Sequence, residues 1–280
     1  MKTKISSDTK EVVIGDDLPT VLIGERINPT GKKKLAAALA SGDLDVVRAE
    51  AIAQVEAGAD VLDVNVATPE VDEAAVLPEA IKTIMAAVDV PLCIDINNPA
   101  ALASALAVYK GKPIVNSVSG EEKSLNEILP LVKQYKAAVI GLTIDDEGIP
   151  KTPEKRLEIA QKIVARAAAA GIPSEDIIID CLALSLGSDD TAGVNTLKTI
   201  SLVKAELGVN QTLGASNISF GLPDRPRINQ TFLALAISAG VTCPTVNAAH
   251  AKAGVLATDF VLGRDRFAQR FIGDYRKRQA

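Results

Sequence analysis

Thiol chemistry and metal binding have little to build on in this chain. Its 280 residues include three cysteines, Cys93, Cys181 and Cys243, far apart and each beside or inside an apolar run, with no CxxC pair; small buried thiols are the expectation. Histidine occurs once, as His250, where a helix should start. A His-x-x-x-His metal pair is therefore excluded, and no metal site is expected. No window approaches the roughly 20 consecutive apolar residues of a membrane span, and the opening MKTKISSDTKEVV lacks the apolar core of a secretion signal. Both absences point to a cytoplasmic protein without a membrane partner. The 30 basic and 35 acidic residues are interleaved, for a net charge of -5, so no polybasic face is available for nucleic acid. Also missing are a Gly-rich phosphate loop, a GxSxG elbow and a lysine standing at a strand end.

Apolar material is plentiful, at 48% of residues and a mean hydropathy of +0.20. Eight short apolar runs recur along the chain, VLIGERIN, ADVLDVN, VPLCIDIN, KPIVNS, AAVIGLT, DIIIDC, QTLGASN and TCPTVN. Between and after them lie segments of helical periodicity, over 44–56, 69–87, 99–109, 122–135, 152–170, 191–207, 225–239 and 248–262. Eightfold alternation of strand and helix predicts parallel strands with right-handed crossovers, closed into a single (β/α)8 TIM barrel of the α/β class. Runs such as VLIG, VPLCI and IIID are apolar at successive positions, as strands buried on both faces should be. Pro69, Pro99 and Pro153 sit where helices should begin, and Gly58 and Gly171 where they should end. One barrel domain over 1–280 is expected, with 1–20 as an extension or a cap on the barrel bottom, in which EVVI reads as a short strand.

Most of the apolar runs end in a carboxylate or carboxamide. In barrels of this type the carboxyl ends of the strands project into the catalytic mouth. Glu25 and Asn28 follow the first strand, Asp63 and Asn65 the second, Asp95 and Asn97 the third; then come Asn116, Ser117, Thr143, Asp180, Asn217 and Asn247. Any one of these alone could be a helix N-cap. Together they form a ring suited to the donor and acceptor edge of a planar heterocycle: a carboxylate accepts two parallel N–H bonds from an amino-pyrimidinone, and an Asn pairs donor with acceptor. A pterin presents such an edge.

The segments VLIGERINPTG, LDVNVATP, PLCIDINN, IVNSVSGE, VIGLTIDDEGIPKTPEKR, IIIDCL and LGASNISFGLPDRPRINQTFLALA, in this order, resemble the pterin-binding methyltransferases, which include the methyltetrahydrofolate:corrinoid/iron–sulfur protein methyltransferases and the folate module of cobalamin-dependent methionine synthase. The resemblance covers residues 20 to 265. It implies exchange of the N5 methyl group of methyltetrahydrofolate with the cobalt of a corrinoid (cobalamin) on a partner protein, by a homodimer. By the same resemblance, Asp95, Asn116 and Asp180 hold the pterin and Asn217 reaches N5 as the catalytic group. Asp63 and Asn65 support the site, and Arg225 and Asn229 support the loop carrying Asn217. Arg26 and Asn28 belong to the first motif without an assigned contact. Phe220 departs from the polar residue that the acetogenic members carry three positions after the N5-proximal Asn. That departure favours a demethylation system that returns methyl groups to tetrahydrofolate. Two alternatives stay open: a dihydropteroate synthase-like enzyme, against which GASNISFG stands where a basic segment belongs, and a non-catalytic folate-binding or corrinoid-docking subunit.

Overall fold

The computed structural model describes residues 1–69 and 71–279. Eight parallel strands follow the eight apolar runs: β3 (Ile23–Ile27), β4 (Val61–Val64), β5 (Leu92–Asp95), β6 (Ile114–Ser119), β7 (Ala138–Leu142), β8 (Ile177–Asp180), β9 (Asn210–Thr212) and β10 (Thr245–Val246). They form one sheet in the order β10-β3-β4-β5-β6-β7-β8-β9. Closure between its ends rests on a Gly214–Thr245 bridge and on Thr242 and Thr245 backbone N–H groups donating to the carbonyls of Gln211 and Leu213. The result is a (β/α)8 barrel, in which no sheet edge is left bare.

Ten helices surround or extend it among the described residues: α1 (Lys33–Ala40), α2 (Asp45–Glu56), α3 (Glu73–Ala87), α4 (Pro99–Val108), α5 (Glu122–Tyr135), α6 (Pro153–Ala169), α7 (Ala192–Leu207), α8 (Arg225–Ala239), α9 (Ala248–Val261) and α10 (Gln269–Gln279). Pro99 and Pro153 occupy first helical positions behind the side-chain caps Asn98 and Thr152. The helix expected from residue 69 begins later, because the Asp72 side chain accepts from the Ala74 backbone N–H and caps α3 there; Glu70, inside the expected span, lies outside the described residues, as does Ala280 at the end of the expected domain. Gly58 and Gly171, at φ +102° and +80°, adopt the positive-φ conformation after α2 and α6.

The first residues form a hairpin of β1 (Lys2–Ser6) and β2 (Glu11–Gly15). Its Ile5 and Ile14 are fully buried with Ile23, Val61, Ile114 and Ala138 from the first halves of the barrel strands. Asn210 Nδ2 donates to Thr3 Oγ1 and to the Ile14 carbonyl. The hairpin thus seals the amino-terminal end of the barrel.

Side chains on a strand alternate between faces, and this parity builds the mouth. The interior floor consists of Ile23, Val61, Cys93, Ile114, Ile140, Ile178 and Cys243. Two positions further along the same strands stand Glu25, Asp63, Asp95, Asn116, Leu142, Asp180 and Thr245. A dry apolar layer therefore lies directly beneath a polar one. The intervening residues, among them Leu62, Ile94, Val115 and Ile179, pack outward against the helices.

Candidate active site

The polar layer opens into a cavity of about 360 Å³ lined by Glu25, Asp63, Asp95, Asn116, Asp180 and Asn217, with Arg26, Asn28, Lys32 and Asn247 along its rim. Asp95, Asn116, Asp180 and Asn217, the residues expected to hold a pterin, are brought together there. Two hydrogen bonds tie neighbouring strand ends: Asn116 Nδ2 donates to Asp63 Oδ1 at 3.1 Å, and Asn65 Nδ2 donates to Asp95 Oδ2 at 3.0 Å. The Leu182 backbone N–H donates to Asp180 Oδ1 at 2.7 Å. Each of these bonds uses one polar atom and leaves another, Asp95 Oδ1, Asn116 Oδ1 or Asp180 Oδ2, for a ligand.

Burial dominates the electrostatics. It pushes Asp63 up to about 8, helped by the neighbouring Asp95 charge and opposed by the Asn116 hydrogen bond. Asp180 is pushed up to about 7 for the same first reason, against the pull of the Leu182 N–H and Arg156. Asp95 is also raised by burial, against its hydrogen bond from Asn65. Raised this far, Asp63 carries its proton at neutral pH. Asp63 is thereby a neutral bracket for Asn116, while Asp95 keeps one oxygen toward the cavity.

A stability consequence follows. Asp63 ionises at 3.8 in a solvated chain and only around 8 in the folded protein, so its contribution is complete in acid and is lost as pH rises between those values, by up to ~1.4 kcal/mol per pH unit. Asp63→Asn keeps the acceptor for Asn116 and removes that slope. The variant is expected to melt above wild type at pH 8 and by a smaller margin at pH 5, both measured by thermal unfolding; an equal margin at the two pH values contradicts the assignment.

Asn217 does not stand at a strand end as its apolar run predicts. The chain leaves β9 at Thr212, and Ala215–Ser219 form a 3₁₀ turn that carries Asn217 over the mouth. Gly214 makes the fold-back possible: a Cβ on it would lie 3.0 Å from Asn217 Nδ2. Arg225, at the start of α8, holds the turn, its Nε donating to Ser219 Oγ and its Nη2 to the Ser216 carbonyl, both at 3.0 Å. The same guanidinium lies 5.9 Å over the Phe220 ring, whose side chain is 68% exposed. Asn229 lines a neighbouring cavity together with Ala215 and Ser216 of this turn.

Other members of the ring divide differently. Asn97 and Ser117 line a separate cavity beside α5. Asn247 is the N-cap of α9, accepting from the Ala249 N–H. Thr143 is fully buried and donates to the Asp180 carbonyl. Arg26 turns outward to pair with Glu50 of α2 at 3.2 Å, and Asn28 closes a local turn by accepting from the Thr30 N–H. His250 is an exposed residue at the start of α9. All three cysteines are buried, and burial raises their thiols. Among the described residues no cluster of three or more His, Cys, Asp or Glu side chains is arranged to hold a metal ion, and no helix is long and apolar enough to cross a membrane.

Three contributors to the site were given no role from sequence. Glu25 was counted in the ring without a role; burial raises its carboxyl against the pull of Lys32, Arg26 and Arg225. Lys32, beyond the end of β3, enters the rim by donating to the Arg26 carbonyl at 2.7 Å. Arg156 is fully buried and braces the segment after β8, donating to the carbonyls of Pro150, Cys181 and Leu182. Its signal, an arginine in the otherwise surface-like PEKR segment, is indistinguishable from that of a solvated helix face.

Residues 24–247 match the model of the pterin binding enzyme family. The methylcorrinoid:tetrahydrofolate methyltransferase of Eubacterium limosum is 32% identical over 265 residues, covering 92% of this chain and 96% of that protein. Methionine synthase of Mycobacterium tuberculosis is 30% identical over 257 residues, 87% of this chain but 22% of that much longer protein. Among solved structures, the dihydropteroate synthase of Yersinia pestis with a pterine-sulfa conjugate superposes with a TM-score of 0.71 at 14% identity, over 93% of this chain and 100% of that one. That of Xanthomonas albilineans with 7,8-dihydropteroate gives 0.65 at 18%, over 89% and 95%. These structures share the fold. By the family match and by its likeness to these relatives over most of its length, the chain belongs to the pterin-binding methyltransferases of the pterin binding enzyme family.

Proposed function

We propose that the protein transfers a methyl group between the cobalt of a corrinoid carried on a separate protein and N5 of tetrahydrofolate, in the direction that forms methyltetrahydrofolate. One observation carries this reading: Asp95, Asn116 and Asp180 each offer an unpaired acceptor to one cavity, and across that cavity stands a carboxamide on a braced turn. Asp95 and Asp180 accept from the amino and ring N–H groups of the pterin, and Asn116 Oδ1 adds a third acceptor while its amide is held by Asp63.

Methyl transfer to N5 forms an N–C bond with the N5 lone pair and breaks the Co–C bond, whose electrons stay on cobalt as Co(I). The N5 proton leaves. In reverse a tertiary amine is a poor leaving group, so positive charge at N5 must be stabilised. Asn217 suits both directions, because a carboxamide can accept from N5–H or donate to a bare N5 by changing which end it presents, without carrying a fixed charge.

The corrinoid protein docks over the open mouth, where the exposed Phe220 offers an apolar contact instead of a polar side chain directed at N5. The reading extends to one pterin-binding barrel domain over 1–280, with 1–20 as its bottom cap, working in the cytoplasm as a homodimer. The exposed Val261 and Phe267, 83% and 86% accessible, offer apolar surface to a second copy. An anaerobic demethylation system is the setting.

The test mixes the full-length protein, tetrahydrofolate and a methylated corrinoid protein, and follows cobalt absorbance together with methyltetrahydrofolate. Loss of the methyl-cobalt spectrum with stoichiometric methyltetrahydrofolate is expected. An unchanged spectrum alongside measurable folate binding would leave a binding subunit, and condensation of para-aminobenzoate with a pterin pyrophosphate would replace this reading with a synthase.

A further inference from the structure

Arg156 is the one lysine or arginine fully buried among the described residues, at 1% exposure. It stands in the first turn of α6, where the positive end of the helix gives a cation no local support. Its hydrogen bonds go to backbone alone: Nε donates to the Pro150 carbonyl at 2.8 Å, and Nη1 to those of Cys181 and Leu182 at 3.0 and 2.9 Å. Buried charges are ordinarily paired, yet no carboxylate accepts from this one among the described residues. Burial lowers its pKa, opposed through space by Cys181, Asp180 and Asp189. Cys181 is a neutral thiol, raised by burial, and Asp189 is spent on Thr191. Asp180 is left as the countercharge.

We propose that Arg156 is a positioning residue for pterin binding, fixing the Asp180 carboxylate through Leu182 and supplying the buried positive charge behind it, an inference that rests on the pterin reading above. Leu182 is the link. Its φ of +55° is uncommon for a residue with a bulky side chain, and such a conformation persists only where the surroundings hold it. In that conformation the Leu182 N–H donates back to Asp180 Oδ1 at 2.7 Å, while its carbonyl accepts from Arg156 Nη1 and, at 3.2 Å, from Thr196 Oγ1 of α7. One residue therefore connects the guanidinium to the carboxylate. Asp180 Oδ1 is committed to Leu182, and Oδ2 is turned to the ligand. The charge of Arg156 also favours the acceptor-only form of Asp180 against the burial that raises it. The bond to Pro150, on the loop before α6, ties a second strand end into the same unit.

The experiment measures tetrahydrofolate affinity by calorimetry and single-turnover methyl transfer at saturating tetrahydrofolate, on the full chain with the same methylated corrinoid protein as donor. Arg156→Met is expected to weaken tetrahydrofolate by about 10–100-fold, the scale of a hydrogen bond to a charged group. Arg156→Lys keeps the charge but cannot fork across three carbonyls, so a loss of roughly 3–10-fold is expected. The transfer rate at saturation stays within about twofold in both variants, since the lost interaction is one of binding and Asn217 stands on another turn. Wild-type affinity in Arg156→Met, a loss in Arg156→Lys as large as in Arg156→Met, or equal losses of affinity and rate overturn the proposal. If Arg156→Met fails to fold, Arg156→Lys decides alone: weaker binding with the rate kept supports the proposal, and unchanged binding or equal losses overturn it. Tetrahydrofolate that fails to bind wild type overturns the pterin reading instead, a distinguishable failure.

Discussion

Asn217→Ala binds tetrahydrofolate nearly as well as wild type and loses methyl transfer by roughly 10²-fold or more, the usual cost of removing one preorganised donor at a site of changing charge. The separation of the two effects is the point. Asn217 sits on the 3₁₀ turn, away from Asp95, Asn116 and Asp180, so the amino edge of the pterin keeps its acceptors when the amide is removed. What disappears is the group that follows the change of charge on N5. Single-turnover rates and calorimetric affinities on the same preparation check this; equal losses in both, or an undiminished rate, would remove Asn217 from the chemistry. Because Arg225 holds the turn from outside, the deletion should leave the turn in place.

Asp95→Asn is expected to weaken tetrahydrofolate by about 10²-fold, with a much smaller change in melting temperature. The carboxylate is acceptor-only, and Asn65 already donates to one of its oxygens. An amide at this position must turn either its NH2 group toward the pterin amino group, donor against donor, or the same NH2 group toward Asn65 Nδ2, with the identical conflict. One contact is lost whichever way it rotates, and a hydrogen bond to a charged group at this buried site is worth ~1.5–3 kcal/mol. Calorimetric titration decides it, and an unchanged affinity would move the pterin amino edge elsewhere.

Strand ends were legible in the sequence because parallel barrel strands are buried on both faces, so a strand is an unbroken apolar run and its polar end stands out. Which way each end faces was less legible. Asp95 and Asn116 keep the inward parity of Cys93 and Ile114, whereas Ser117 takes the opposite parity at a point where the β6–β7 register shifts. Asn97 lies past the end of β5, where parity no longer applies. Asn217 was found by likeness to the family, not by periodicity, since GASN reads as strand and folds as a turn. The terminal α10 buries no residue, and α1 has only Leu35, Ala38 and Leu39 on its buried face, too short a stripe to be read as a helix. Contacts between distant segments, such as Arg156 on Cys181, have no sequence signature, and the brace of Arg225 on the Asn217 turn was legible only by likeness to the family.

The β1–β2 hairpin has a kinetic meaning. With Ile5 and Ile14 stoppering the far end, both substrates of the proposed reaction meet at the mouth end of the barrel. Folate, which goes to the floor, has to enter before the corrinoid protein covers the rim, and methyltetrahydrofolate has to wait for that protein to depart. On that reading traffic is first in, last out, and release of the product waits on departure of the lid.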